Sequence, residues 1–98
     1  MITELREYRV REGGMDEFVQ VMMTQVIPLR ERFGFVFHGA WRDDTANRFV
    51  WVVSHPAPDG WDAAMQPYLA ARSAEIDPDP SSFLTEVKSS FVAPAGSA

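Results

Sequence analysis

Residues 35 to 55, FVFHGAWRDDTANRFVWVVSH, constrain the fold more than any other part of this chain. The segment predicts a β-hairpin whose strands are joined at about Asp43 to Asn47, because Asp and Asn favour turns. A hairpin with one solvated face alternates between apolar and polar residues, whereas apolar residues crowd both faces of this one. Each face therefore needs a cover. The chain's own helices can supply one, and a second molecule is expected to supply the other.

The predicted pairing places Arg42 opposite Arg48 and gives the hairpin two unlike faces. His38, with smaller aliphatic residues, lies on one of them. A slip of one residue would exchange the faces, and the sequence leaves open which face meets the helices. The other face is aromatic and carries Phe35, Phe37, Trp41, Phe49 and Trp51.

The chain before the hairpin predicts one strand and one helix. Ile2 to Arg11 alternates as a strand, in which Arg6 and Tyr8 share a face. An apolar stripe then predicts a helix over residues 15–33. Pro28 lies inside this helix and is expected to bend it, because proline cannot donate the helical hydrogen bond.

The chain after the hairpin predicts a second helix and a last strand. The helix is expected to begin near Asp59 or Asp62, either of which suits a helix cap. Pro67 is expected to kink this helix or divide it in two. Residues 83–92 are predicted to form the last strand.

The predicted order β-α-β-β-α-β is that of the ferredoxin-like fold, of the α+β class. This fold is a four-stranded antiparallel sheet with both helices on one face, which leaves the other face bare. Two copies packed face to face would cover both sheets and add burial to a chain of 98 residues, which is small for a stable monomer. We therefore expect a homodimer built from one domain, residues 1–93, followed by a flexible tail, residues 94–98.

Composition disfavours several classes of function. The chain has no Cys and only two His, which share no metal-binding spacing, so a metal site is not expected. Its net charge of −5 repels phosphate backbones, and we interpret the basic cluster of Arg30 and Arg32 as a solvated helix end. No apolar run approaches the roughly 20 residues that span a bilayer. We expect a cytoplasmic protein that binds no nucleic acid, membrane or cofactor.

Several short motifs together resemble the NIPSNAP family. They cover about the first half of the chain, and no single one is specific. The matching segments are ELREYRV at residues 4–10, GGMDEF at 13–18, VIPL at 26–29, and Gly34-Phe35 leading to GAW at 39–41. The resemblance implies a homodimeric α/β barrel in which two ferredoxin-like sheets pack face to face. It implies no settled activity, because proteins related by fold include cofactor-independent monooxygenases, haem-degrading enzymes, isomerases and dehydratases.

A few polar and aromatic residues are candidates for function. Tyr8 and His38 are candidates for proton transfer, since both side chains can donate and accept hydrogen bonds. Arg6, Trp41 and Trp51 join them as candidate ligand contacts. Each also has a structural interpretation: an ion pair for Arg6, a hydrogen-bonded core position for Tyr8 and His38, and plain aromatic core for the two Trp residues.

Two hypotheses about function remain open. The first is a dimeric protein that binds a small apolar or aromatic ligand in or beside the barrel, without catalysis. The second is an enzyme of the dimeric barrel type, either a cofactor-independent monooxygenase or an isomerase. We favour the first, because the polar residues are sparse and form no recognisable catalytic relay.

Overall fold

Four antiparallel strands form one sheet in the computed structural model, which describes residues 1–96. The strands are β1 (Ile2–Val10), β2 (Val36–Asp43), β3 (Arg48–His55) and β4 (Leu84–Val92). Their order across the sheet is β2-β3-β1-β4, which confirms the predicted ferredoxin-like arrangement. Of the predicted tail, residues 94–96 follow β4 without regular structure, and residues 97 and 98 lie outside the described part.

The first helical segment is continuous, but one of its turns is wider than an α-turn. It consists of α1 (Met15–Val21), a π turn (Met22–Val26) and α2 (Ile27–Arg32). In the π turn the backbone N–H of Ile27 donates to the Met22 carbonyl, five residues back. Pro28 follows directly, so the wider turn accommodates the proline. A bend was predicted at Pro28, and the irregularity that the structure has beside this proline is the π turn.

The second helix differs from its prediction at two points. It is a single helix, α3 (Trp61–Glu75), and no side chain caps its start. Pro67 lies inside it without dividing it, so of the two predicted outcomes, a kink or a division in two, the division is wrong. Ala63 and Pro67 are both exposed, so the carbonyl that proline leaves unpaired can bond to water. A short 3₁₀ turn (Pro80–Phe83) then leads into β4.

The hairpin contains a β-bulge that the predicted pairing lacks. Phe37 faces Val53 as predicted, but His38 is an extra residue, and Gly39 then faces Val52 instead of Trp51. Every later pair is shifted by one residue, which moves Trp41 off the aromatic face. The Trp41 ring folds back over Gly39, where an added Cβ would lie 2.8 Å from the ring.

The aromatic face of the sheet meets the helices. Phe35, Phe49 and Trp51 are buried there together with Phe18 of α1 and Tyr68 of α3. No helix among residues 1–96 covers the opposite face, which we call the open face. Its side chains include Leu5, Val36, Trp41, Val50, Val52 and Val92. None of the helices in these residues is long and apolar enough to cross a membrane.

Candidate functional site

A cavity of about 120 Å³ lies between the aromatic face of the sheet and the helices. Its walls combine apolar side chains with a small set of polar ones. Arg6 and Tyr8 come from β1, Arg30 from α2, and Tyr68 and Arg72 from α3. A concave, mostly apolar site with a few converging polar groups is the usual form of a small-molecule site.

Tyr8 has a hydroxyl group that two neighbours hold in place. The Arg6 Nε–H donates to its oxygen at 2.7 Å, and the Trp51 Nε1–H donates to it at 2.9 Å. These two bonds use the oxygen's acceptor capacity, so the hydroxyl proton is left to be donated. No acceptor among residues 1–96 receives it, and Tyr8 lines the cavity. The hydroxyl proton is therefore available for a hydrogen bond at the cavity wall.

Arg6 connects Tyr8 to a buried carboxylate. Its Nη1–H donates to Glu4 Oε1 at 3.2 Å. Burial alone would lower the pKa of Arg6, but the contacts with Tyr8 and Glu4 outweigh burial and raise it. Arg6 is thus a fixed cation whose charge is largely balanced within β1.

Arg30 reaches the cavity because of how α2 ends. Gly34 has a φ of 87°, its N–H donates to the Glu31 carbonyl, and the Phe35 N–H donates to the Arg30 carbonyl. This is a Schellman motif, which glycine favours. It brings the Phe35 ring to 4.8 Å from the Arg30 guanidinium carbon, and the rings of Trp51 and Tyr68 lie 5.1 and 4.3 Å from the same atom.

Arg30 is a buried cation without an anionic partner. The residue is 4% exposed, and its Nε has no hydrogen-bond acceptor among residues 1–96. Its Nη1–H donates only to the sulfur of Met65, at 3.2 Å. Burial lowers the pKa of Arg30, and the nearby charge of Arg6 lowers it further, while Tyr68 and Tyr8 oppose the shift. The positive charge here is held at an energetic disadvantage.

Arg72 lies towards the outside of the cavity. Its Nη2–H donates to Asp79 at 3.3 Å and to the Ser81 hydroxyl at 2.9 Å. Both partners lie at the start of the 3₁₀ turn before β4. Arg72 therefore ties this turn to α3 and forms one wall of the cavity, with its own charge balanced.

The structure divides the predicted site residues between two faces of the sheet. Arg6, Tyr8 and Trp51 come together at the cavity. His38 and Trp41 lie on the open face, so the expectation that Trp41 shares the aromatic face is wrong, because of the bulge at His38.

On the open face, side chains form a chain of hydrogen bonds. His38 Nε2 lies 2.7 Å from the hydroxyl of Ser54, which in turn lies 2.7 Å from that of Thr3. His55 has a structural role elsewhere. Its Nδ1 accepts the Ala57 N–H, so its Nε2–H donates to the Phe33 carbonyl.

Sequence reasoning missed Arg30, Tyr68 and Arg72. The interpretation of Arg30 and Arg32 as one solvated cluster is half wrong, since Arg32 is exposed and Arg30 is buried. A usable signal was the spacing: Arg30 lies four residues after Val26, on the same side of the helix as the buried stripe.

No cluster of His, Asp or Glu suited to a metal ion occurs in residues 1–96.

Solved structures of several bacterial proteins share this fold. One is an uncharacterized NIPSNAP domain protein from Burkholderia xenovorans, which matches with a TM-score of 0.80 and 22% identity over 97% of this chain and 95% of that one. Another is a NIPSNAP family protein of unknown function from Agrobacterium tumefaciens, with a TM-score of 0.81 and 16% identity over 96% and 87%. This chain has the fold of the NIPSNAP proteins. The resemblance seen in its sequence is confirmed as a likeness of fold.

A second group of solved structures shares the same fold at lower similarity. A protein described as an antibiotic biosynthesis monooxygenase matches with a TM-score of 0.70 and 12% identity, over 98% of this chain and 100% of that one. No protein-family model and no curated protein matches the sequence. At these identities the NIPSNAP fold is the finding, and activity has to be argued from the site.

Proposed function

We propose that this NIPSNAP-like protein is a homodimeric α/β-barrel protein that binds a small apolar or aromatic ligand in the cavity between sheet and helices. The observation that carries the proposal is the Tyr8 hydroxyl, which two N–H donors fix in an otherwise largely apolar wall. A polar group fixed in this way costs little further entropy when a ligand binds. Tyr8 would orient the ligand, and the apolar walls would supply most of the affinity.

The binding proposal can be tested at the indole N–H of Trp51. Acetophenone, a flat neutral ligand with a carbonyl acceptor, should shift the Trp51 indole signal in ¹H–¹⁵N spectra, because that N–H is bonded to the Tyr8 oxygen. The Trp41 indole lies on the open face and serves as an internal control. A titration that moves the Trp41 signal and leaves Trp51 unchanged would refute binding in the cavity.

The hydrogen bond from Tyr8 can be tested separately. Tyr8→Phe should weaken acetophenone binding about tenfold, the usual effect of one lost hydrogen bond in a dry site. Tyr68→Phe is the matched control, because Tyr68 lines the same cavity and its removal leaves the bonds from Arg6 and Trp51 to the Tyr8 hydroxyl in place. Equal affinities for the two variants would contradict the role given to Tyr8.

The open face supports the homodimer. Trp41 is 59% exposed there, and Val36 and Val92 are also exposed, next to half-buried Leu5 and Val52. A contiguous apolar face of this kind is typical of an interface. A second copy is the simplest cover, since twofold packing joins identical patches.

Sedimentation tests the dimer directly. The chain of 11.1 kDa should sediment at twice that mass at micromolar concentration, and Trp41→Glu should shift it to the monomer by placing a charge in the interface. Met23→Glu is the control, because Met23 is an exposed apolar residue on the opposite, helical side. A wild-type monomer would refute the proposal.

A second candidate is an enzyme, either a cofactor-independent monooxygenase or an isomerase. The same fixed Tyr8 hydroxyl favours it as a proton donor, as does the likeness of fold to the antibiotic biosynthesis monooxygenase. Anthrone tests oxygenation, since anthrone and O₂ give anthraquinone and water. Oxygen uptake that Tyr8→Phe abolishes and Tyr68→Phe spares would favour the enzyme. His38→Ala tests the other candidate for proton transfer, on the open face. Oxygen uptake that this variant abolishes would assign the proton transfer to His38 instead of Tyr8.

A further inference from the structure

We propose that Arg30 binds an anionic group, and that the ligand of the cavity is a small carboxylate with an apolar or aromatic body. This inference rests on the proposed ligand-binding function and names the chemistry of its ligand. It concerns a residue that the sequence placed on the surface and the structure places in the wall of the cavity.

The charges around the cavity leave one cation uncompensated. Arg6 is paired with Glu4 at 3.2 Å, and Arg72 is paired with Asp79 at 3.3 Å. Arg30 has no acidic partner among residues 1–96, although it is the most deeply buried of the three. An unpaired charge in a protein interior is costly, so such charges are generally paired or serve a ligand. The cavity wall therefore carries one uncompensated positive charge, that of Arg30.

The hydrogen-bond donors of Arg30 suit a carboxylate. Its Nη1–H is directed at the Met65 sulfur, while its buried Nε–H has no acceptor within residues 1–96. The Nε–H and Nη2–H groups form one edge of the planar guanidinium. Two parallel donors on one edge match the two oxygens of a carboxylate.

The aromatic side chains around Arg30 suggest a purely structural alternative. Phe35, Trp51 and Tyr68 lie within 5.1 Å of the guanidinium carbon, and cation–π attraction helps the site to tolerate the charge. An aromatic ring, however, is a poor acceptor for an N–H group. The rings therefore explain how the charge is held and leave the unpaired Nε–H unexplained.

The size of the cavity limits the ligand. Its volume of about 120 Å³ is several times the roughly 10–15 Å³ that one water needs on this measure, and well below the roughly 300 Å³ at which drug-sized sites begin. A single ring or short chain with one carboxylate fits these limits, and a nucleotide does not. Tyr8 can donate to a second polar atom of such a ligand.

Three probes of similar size separate charge from shape: benzoate, benzamide and benzyl alcohol. By calorimetry at constant ionic strength, the wild type should bind benzoate at least about tenfold more tightly than the two neutral probes, the usual effect of a charge-assisted hydrogen bond. Arg30→Met should remove this preference and keep the binding of benzyl alcohol. Arg30→Lys should retain part of the preference, because it keeps the charge and loses the two-donor edge. Arg32→Met is the matched control and should behave as the wild type, since Arg32 is an exposed residue paired with Glu75.

The ligand-free protein gives a second, independent readout. If Arg30 is kept for a ligand, Arg30→Met should unfold at the same temperature as the wild type or higher, because it removes an unpaired buried charge. An unfolding temperature of Arg30→Met clearly lower than that of Arg32→Met would show that Arg30 stabilises the fold itself, and would overturn the inference. Equal affinity of the wild type for benzoate and benzyl alcohol would also overturn it, but would leave the proposed function standing. If no probe and no acetophenone bind, both proposals fail.

Discussion

Replacing Tyr8 by Phe should destabilise the fold through one specific atom, the indole N–H of Trp51. In the wild type that N–H donates to the Tyr8 hydroxyl at 2.9 Å. Trp51 is 1% exposed, so water cannot replace the lost acceptor without a rearrangement of the core. The substitution keeps the ring, and with it the packing of Tyr8 against Phe18 and Phe49.

The size of the effect follows from the two donors that lose their acceptor. A buried N–H left without a partner costs about 1–3 kcal/mol. The Arg6 side chain is 21% exposed and can bond to water, so its share is smaller, about 0.5 kcal/mol. The sum is about 1.5–3.5 kcal/mol, a large part of the roughly 5–15 kcal/mol by which small domains are stable.

Urea unfolding followed by tryptophan fluorescence measures this loss. With a slope of about 1–2 kcal/mol per molar urea, the midpoint should fall by about 1–3 M. Protein concentration must be the same for every variant, because the proposed dimer would add to the apparent stability. Tyr68→Phe is the control and should cost less, about 1 kcal/mol, since it leaves the Trp51 N–H bonded to the Tyr8 hydroxyl.

A double-mutant cycle with Trp51→Phe isolates the bond itself. Once the indole N–H is removed, Tyr8→Phe should cost about 1 kcal/mol less than in the wild type. Tyr8→Phe and Tyr68→Phe with the same midpoint, or a cycle without coupling, would refute the role assigned to this hydrogen bond.

Two further substitutions test the packing that supports the cavity. Phe18→Ala should lower the free energy of unfolding by about 3–5 kcal/mol in urea, because Phe18 is 0% exposed. The exposed control Met23→Ala should stay within about 0.5 kcal/mol of the wild type. A loss below about 1.5 kcal/mol for Phe18→Ala would contradict the assigned core. Gly34→Ala should cost about 1–2 kcal/mol, since φ there is 87° and an L side chain is strained in that region, while Gly96→Ala should be neutral. Equal urea midpoints for the two glycine variants would contradict this prediction, because they would show that the turn after α2 accepts an L side chain without strain.

Much of the fold could be predicted because its signals are local and repeated. The alternation of β1 placed Arg6 and Tyr8 on one face, and the apolar excess of the hairpin predicted that both faces need a cover. The β-bulge could not be predicted, because a single extra residue leaves the apolar pattern of β2 nearly unchanged. The Trp41 ring lies against Gly39 beside the bulge, a contact visible only in three dimensions.

The candidate site was only half predictable for a different reason. Charged residues are rarely buried, so the sequence favours a surface position for Arg30 and Arg32 alike. Arg30 is buried because the Schellman motif at Gly34 turns the chain so that Phe35 packs against it. α3 contributes Tyr68 and Arg72, and its place depends on a continuous helix through Pro67, which the sequence argued against.

The strand β1 contributes side chains both to the cavity and to the open face. Its alternate residues serve opposite faces: Arg6 and Tyr8 line the cavity, while Leu5 and Glu7 lie on the open face. β1 is also an inner strand, paired along its length with β3 and β4. A shift of this strand by one residue would therefore exchange the cavity residues with those of the open face. The proposed ligand site and the proposed interface would therefore both depend on the register of the same nine residues.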